Sequence, residues 1–533
     1  MKTKSTAHHG RGVESFLVEH GADVTGVISG FDRLRLRASL RWLYQPSFMK
    51  RYLCEARVLL KDFGGYATAL SNRIRAAAHA FAVREHRPVR YLHSTALSKE
   101  ELARTVAERD GVRTGLIGLF DCVEPCLTYF VRGDHVAHRL RLELRPGKCL
   151  HHYFYFAHAE FGLMHLRVQS WFPFQVTACL NGRLWLARQL DRAGLGYVQR
   201  DNAFIALDDL GRTQRLADAQ ARAPLVRAME KLLAQCHPLA TELCRPLGLS
   251  YYWSVDQSEY ATDVMFKSPA ALASIYPQLV QHGIQHCGSA EVLRFLGRTV
   301  PAHGRVHRLY KGEVETSLTH RPEGVRLKHY ASGNSIKIYD KHGQVLRVET
   351  TMNHPEAFRV YRTPEGQPHR LKRWRPLRKG VADLPRRAQI CAASNDRYVA
   401  ALAAVPTGEA AGKLARPVCQ PIVRHGRRHR ALNPWNEADA AALRTIARGE
   451  WTVNGFRNRD LRAALFKRTD DAAERRRESG RVTRLLRLLR AHGLIRKVTG
   501  THHYLLTTKG RQLTTTLLAA HQASVEQLIK LAA

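Results

Sequence analysis

No stretch of this 533-residue chain approaches the roughly 18 uninterrupted apolar residues that a membrane-spanning helix needs. The opening "MKTKSTAHHGRG" is basic but leads into no apolar segment, so it does not read as a secretory signal. Cysteine is sparse: ten thiols scattered along the chain suggest a reduced, cytoplasmic setting and no disulfide framework. There is no Walker loop, no G-x-S-x-G elbow and no H-E-x-x-H zinc-protease motif. Acidic residues are also short, with 46 Asp+Glu against 84 Lys+Arg and a formal net charge of +38. A chain this basic repels itself unless a polyanion offsets the charge, and phosphate backbones are the usual polyanion. The expected partners are therefore DNA and/or structured RNA, and not a membrane.

At about 150 residues per domain the length divides into roughly three or four domains. The patterning is α+β and multidomain. A basic α+β domain is expected over 1–150 and a central α+β domain over 151–405, followed by a basic linker over 406–432 and a compact module over 433–533. From Glu313 to Asn353 the hydrophobic period is two, with breaks at "RPEG", "ASGN" and "KHGQ", which predicts a four-stranded antiparallel meander in a central antiparallel sheet flanked by helices. "GLIGLFDCVEPCLTYFVR" predicts paired buried strands, and "SKEELARTVAERDG" a helix capped by Ser98 with Glu101 three residues later.

The richest stretch is "NSIKIYDKHGQVLRVETT". Strand side chains alternate, so Ile336 and Ile338 share one face while Lys337, Tyr339 and Lys341 share the other. Past the turn, Arg347 and Glu349 match the polar set, and the preceding strands can add Arg326, Lys328, Glu313 and Glu315, the register being open. Cations neutralise phosphate, a carboxylate holds a divalent metal, and a tyrosine hydroxyl can attack phosphorus. On an ordinary sheet face the same residues would simply pair across the strands.

In the module over 433–533, Asn436 is expected to cap one helix and Asn458 a second. In the third helix Val482, Leu485, Leu486, Leu488 and Leu489 form a core face, and Arg481, Arg484, Arg487 and Arg490 form a basic ridge. A hairpin turning at Thr499-Gly500 follows. The pattern "RLLRLLRAHGLIRKV…HHYLLTTKGR" resembles the winged helix-turn-helix domains of bacterial regulators. That resemblance implies that Arg481, Thr483, Arg484 and Arg487 approach a DNA groove, with His502 and His503 near the wing. The basic "RHGRRHR" of the linker suits a phosphate backbone or plain solvation equally well.

"IKIYDK…LRVE" resembles a strand pair of rolling-circle replication initiators and related HUH-type endonucleases, over about 20 residues. The resemblance marks Lys337, Tyr339, Asp340, Lys341, Arg347 and Glu349 as shared positions. It implies a metal-dependent nicking or strand-transfer reaction with Mg²⁺ or Mn²⁺, in which Glu349, Asp340 and His165 are the candidate ligands. The two histidines one residue apart that such enzymes place on a strand are absent; His165, on one face of "MHLRVQSW" with Arg167 and Gln169, comes nearest. The chain also resembles, along most of its length, a group of bacterial proteins sharing "GFDRLRLR", "CVEPC" and "FGLMHLRVQSWFPF", from which no activity follows. A non-catalytic DNA- or RNA-binding regulator, or the protein part of a ribonucleoprotein, fits the composition as well as a nickase does.

Two further clusters stand out. Asp256, Glu259 and Asp263 lie at spacings of three and four, which on a helix would align three carboxylates able to hold a metal or anchor arginines. Cys122 and Cys126 form a CxxxC pair with no second pair at zinc-ribbon spacing. Zinc would further require Cys149, His151 or His152, so the plainer expectation is buried thiols beside a proline turn. No zinc or nucleotide cofactor is expected.

Overall fold

The computed structural model describes residues 10–134, 136, 138–298, 314–364, 371–403, 412, 415–424, 426–448, 451, 455–498 and 501–522. Glu313, residues 406–411 of the linker and the Thr499-Gly500 turn lie outside them. The protein is α+β, with fifteen α-helices among the described residues. Its chain forms two compact units. One takes Met1–Val27, Thr262–Thr350 and Ile390–Ala533; the other takes Ile28–Ala261 and Thr351–Gln389. The units are interleaved along the chain, and position 150 falls inside the strand Arg139–His158.

The second unit is built on β1 (Val24–Ser39, from Ile28 on), β2 (Val89–Leu92), β3 (Gly115–Asp134), β4 (Arg139–His158), β5 (Gly162–Gln169) and β6 (Val176–Asn181). Their order is β1-β6-β5-β4-β3-β2. Every neighbouring pair is antiparallel except β2 and β3, which are parallel. The expected antiparallel sheet is therefore mixed. The cause is local: helix Lys99–Arg109 lies between β2 and β3 and supplies the crossover that parallel pairing needs. Ser98 caps this helix as expected, its Oγ accepting from Glu101 N.

"GLIGLFDCVEPCLTYFVR" is one long strand, not two, because β3 pairs with β4 along its whole length. Pro125 is tolerated within it because β2 pairs only with Leu119–Cys122, which leaves the missing N–H of Pro125 on an open edge. Helix Phe63–Arg84 buries Phe63, Ala67, Leu70, Ile74 and Ala78 at helical spacing. A small hairpin pairs β7 (Tyr197–Arg200) with β8 (Ala203–Leu207).

β9 (Tyr252–Phe266) corrects a second expectation. Its segment is a strand, so the carboxylates of Asp256, Glu259 and Asp263 form no helical stripe; β-branched and aromatic residues outweigh the three-and-four spacing. Asp256 instead pairs with Arg37 at 2.6 Å and Arg35 at 3.7 Å.

In the first unit β10 (Val314–Arg321), β11 (Gly324–Ala331), β12 (Asn334–Lys341) and β13 (Val345–Met352, to Thr350) form the expected meander, broken at the three predicted turns. Ser332 (φ +50°) and Gly333 (φ +77°) both take the left-handed conformation of a two-residue hairpin turn. Leu327, Ile336, Ile338, Leu346 and Val348 are buried in the core. Helix Arg11–His20 is fixed by its first turn: the N–H groups of Gly12 and Val13 both donate to Asp396 Oδ1 at 2.9 Å. Outside this unit, β14 (Arg359–Arg362) pairs with β15 (Arg373–Pro376).

The end of the first unit holds a module with its own core, including Leu443, Ile446, Trp451, Phe456, Leu461 and Leu486. Its order is helix Glu437–Ile446, a bridge at Phe456, helix Asn458–Leu465, helix Ala472–Ala491, a hairpin of β18 (Ile495–Lys497) and β19 (Tyr504–Leu506), and helix Thr508–Gln522. A preceding hairpin pairs β16 (Ile422–Arg424) with β17 (Arg427–His429). Asn436 caps the first helix as expected. Asn458 does not cap the second: it lies inside the helix, where its Nδ2 donates to Thr483 Oγ1 at 2.9 Å, and Arg457 takes the cap position with Asp460.

Candidate nucleic-acid interface

The hairpin β12–β13 brings together the side chains that strand alternation assigns to one face. Lys337 Nζ lies 2.7 Å from Glu349 Oε1, and the Tyr339 hydroxyl donates to Glu349 Oε2 at 2.8 Å. Arg347 grips Asp263 with Nε at 2.6 Å and Nη2 at 2.8 Å. Lys337, Lys341 and Arg347 surround the Tyr339 ring at 5.9, 5.9 and 6.0 Å from its centre. This face is closed. Arg347 and Glu349 are 0% exposed, Lys341 4% and Tyr339 6%. An interior ion network of this kind satisfies its own charges and leaves little for phosphate.

The polar face opens toward the edge of the meander. Arg326 pairs with Tyr339 in register, Lys328 with Lys337, and Ser317 and Thr319 of β10 continue the row. Arg326 and Lys328 are half-buried, and Lys328 sits over the exposed ring of Tyr330 at 5.5 Å. Asp340 is on the other face, where its Oδ1 accepts from Val325 N at 2.6 Å and ties β12 to the start of β11. Burial raises its pKa. These contacts make it a strut of the meander.

His165 lies in the second unit, on β5, between the rings of Tyr153 and Tyr155. Burial, with Arg167 and Arg35 nearby, pushes its pKa down to about 3. Among the described residues it belongs to no group of three potential metal ligands.

The C-terminal module provides the accessible cationic surface. On helix Ala472–Ala491 the side of Val482, Leu486, Leu488 and Leu489 is buried, while Arg481, Thr483, Arg484, Arg487 and Arg490 are exposed, as the three-residue spacing predicts. Arg481, Arg484 and Arg487 form one wall of a groove of 740 Å³; Arg427, Arg428 and His429 form the other. Leu465, Phe466, Leu485 and Leu488 provide its apolar floor. Linker residues of "RHGRRHR" thus face the arginine ridge, a convergence that no local spacing encodes.

Two contacts hold this second wall. Arg430 binds Asp439 through both terminal nitrogens at 2.7 and 2.6 Å. Burial raises the Asp439 pKa, but the hydrogen bonds from Arg430 and Asn433 N outweigh it and leave the carboxyl below its usual range. Arg424 donates to the carbonyls of Arg490 and Ala491, at the negative end of the Arg-rich helix. Of the two hairpin histidines, His502 is exposed, whereas His503 Nε2 accepts from Arg457 Nε at 2.6 Å. No helix among the described residues is long and apolar enough to cross a membrane. No protein-family model, curated protein or solved structure matches the chain.

Proposed function

We propose that the protein binds nucleic acid, as a protein of mobile-element or replication-initiator type, and that the C-terminal module makes the duplex contact. The observation that carries this reading is the groove between Arg427–Arg428 and Arg481–Arg484–Arg487, two basic walls over an apolar floor on a chain of net charge +38. The order of helix, short bridge, two helices, hairpin and helix supports a winged helix-turn-helix, with the Arg-rich helix in the recognition position. Arg326 and Lys328 at the meander edge are secondary phosphate contacts.

A metal-dependent nickase acting through Tyr339 has one observation in its favour: the hydroxyl already donates to a carboxylate, as a base-activated nucleophile would. Burial of both groups favours a structural role, so the reading best supported is binding without chemistry at Tyr339. Anisotropy titrations of the full chain with duplex DNA, single-stranded DNA and a folded RNA, across a salt series, test it. Submicromolar duplex binding that weakens in the Arg481→Ala/Arg484→Ala/Arg487→Ala variant supports the reading. Duplex affinity unchanged in that variant rejects this surface, and preference for the folded RNA favours the ribonucleoprotein alternative.

A further inference from the structure

We propose that Cys126, Cys149 and His151 of the second unit bind a zinc ion, with water in the fourth position. The three lie on one face of the β3–β4 ladder, where Glu124 pairs with Cys149 and Cys122 with His151. One ligand atom from each falls within 4.8 Å of the other two. The thiols are 3.4 Å apart. A tetrahedral zinc with Zn–S near 2.3 Å holds two sulfurs about 3.8 Å apart, so the pair opens by only a few tenths of an ångström to admit the ion.

The histidine supplies the second, independent observation. His151 Nδ1 lies 3.1 Å from the Cys149 carbonyl, which can only accept, so Nδ1 carries the proton and Nε2 keeps its lone pair. That Nε2 is buried without a hydrogen-bond partner, on a residue 1% exposed. A buried lone pair left unpaired is costly, and the arrangement matches the carbonyl-fixed tautomer usual for zinc-bound imidazoles. Binding zinc releases the thiol protons.

The neighbouring charges fit a cation held by two thiolates. Glu124 is engaged by Tyr153 at 2.6 Å and Lys99 at 3.0 Å, and it also offsets Arg167 at 3.4 Å. Both cysteines are partly exposed, which gives the ion a way in. Soft thiolates with imidazole select zinc over Mg²⁺ or Mn²⁺. Sequence spacing grouped Cys126 with Cys122; the cross-strand neighbour Cys149 is set by register, and Cys122 is outside the group.

The test uses the full chain, purified without chelator, with elemental analysis for zinc and replacement by Co²⁺. The expected result is about one equivalent per chain, with Co²⁺ giving tetrahedral d–d bands and thiolate-to-cobalt charge transfer of two-thiolate intensity. Cys126→Ser and Cys149→Ser should each halve that charge transfer, His151→Gln should alter the d–d bands while preserving it, and Cys54→Ser, at an exposed thiol, should change neither. Because the wild-type spectrum itself counts thiolates, misfolding of a variant cannot hide a negative answer. Absence of stoichiometric metal and of charge transfer in the wild-type chain, or a Cys126–Cys149 disulfide found by mass spectrometry in reduced preparations, overturns the proposal.

Discussion

The hydroxyl of Tyr339 donates to Glu349 at 2.8 Å while Lys337 approaches the other oxygen of the same carboxylate at 2.7 Å. Tyrosine and lysine therefore share one buried anion. Tyr339→Phe is expected to lower unfolding stability by about 1–3 kcal/mol, the cost of removing one donor from a buried charged acceptor. Urea unfolding and duplex titration of the same preparation check it. A loss of DNA affinity at unchanged stability would return Tyr339 to the binding surface.

Arg347 and Asp263 form a fully buried, two-pronged ion pair. Removing one partner strands the other charge, so Arg347→Met or Asp263→Leu should each cost about 3–5 kcal/mol, with the double variant Arg347→Met/Asp263→Leu less than the sum. A complete double-mutant cycle measured by denaturant reads this directly. Additive losses would show that the two side chains act independently.

Arg481, Arg484 and Arg487 are exposed, so their alanine variants should melt within a few degrees of the parent chain. Each should lower the slope of log affinity against log salt by about 1 and weaken binding similarly on unrelated sequences. Arg430→Ala should act differently, loosening the β17 wall through Asp439 and reducing stability as well as affinity.

His329 donates or accepts between Tyr398 Oη at 2.7 Å and Thr316 Oγ1 at 2.9 Å, and burial pushes its pKa down to about 4. The unfolded chain therefore binds a proton below its ordinary value near 6.5 that the folded chain refuses until pH 4. The sign is fixed: stability is full above that ordinary value and falls with acidification at about 1.4 kcal/mol per pH unit for this one ring. Melting from pH 7 to pH 4.5 should be less acid-sensitive in His329→Gln. An identical acid limb in that variant would assign the sensitivity to His165 or His237, whose pKa values are also lowered by burial.

Local signals proved legible and non-local ones did not. The three turns of the meander, the caps at Ser98 and Asn436, and the buried and basic sides of the Arg-rich helix follow from neighbours within four residues. Strand parity also placed Lys337, Tyr339 and Glu349 together. It could not tell that their face is interior, because alternation is the same whether a second layer covers the strand or water does. β9 misled for a related reason: charges at three-and-four spacing look the same on a helix as on a strand, and only the partners, Arg37 for Asp256 and Arg347 for Asp263, distinguish them. The parallel pairing of β2, the placing of Arg427 and Arg484 along one groove, and the Cys126–Cys149–His151 group depend on how distant segments come together.

Gly12 and Val13 close their first turn on Asp396, residues 384 and 383 positions away. A ribosome adding about 5–20 residues per second delivers that carboxylate about 20–80 s after the helix that needs it. Through that interval the first turn of this helix lacks the carboxylate that caps it. A chain truncated before residue 396 therefore leaves this helix without its N-terminal cap, a loss of about 0.5–2 kcal/mol in helix stability.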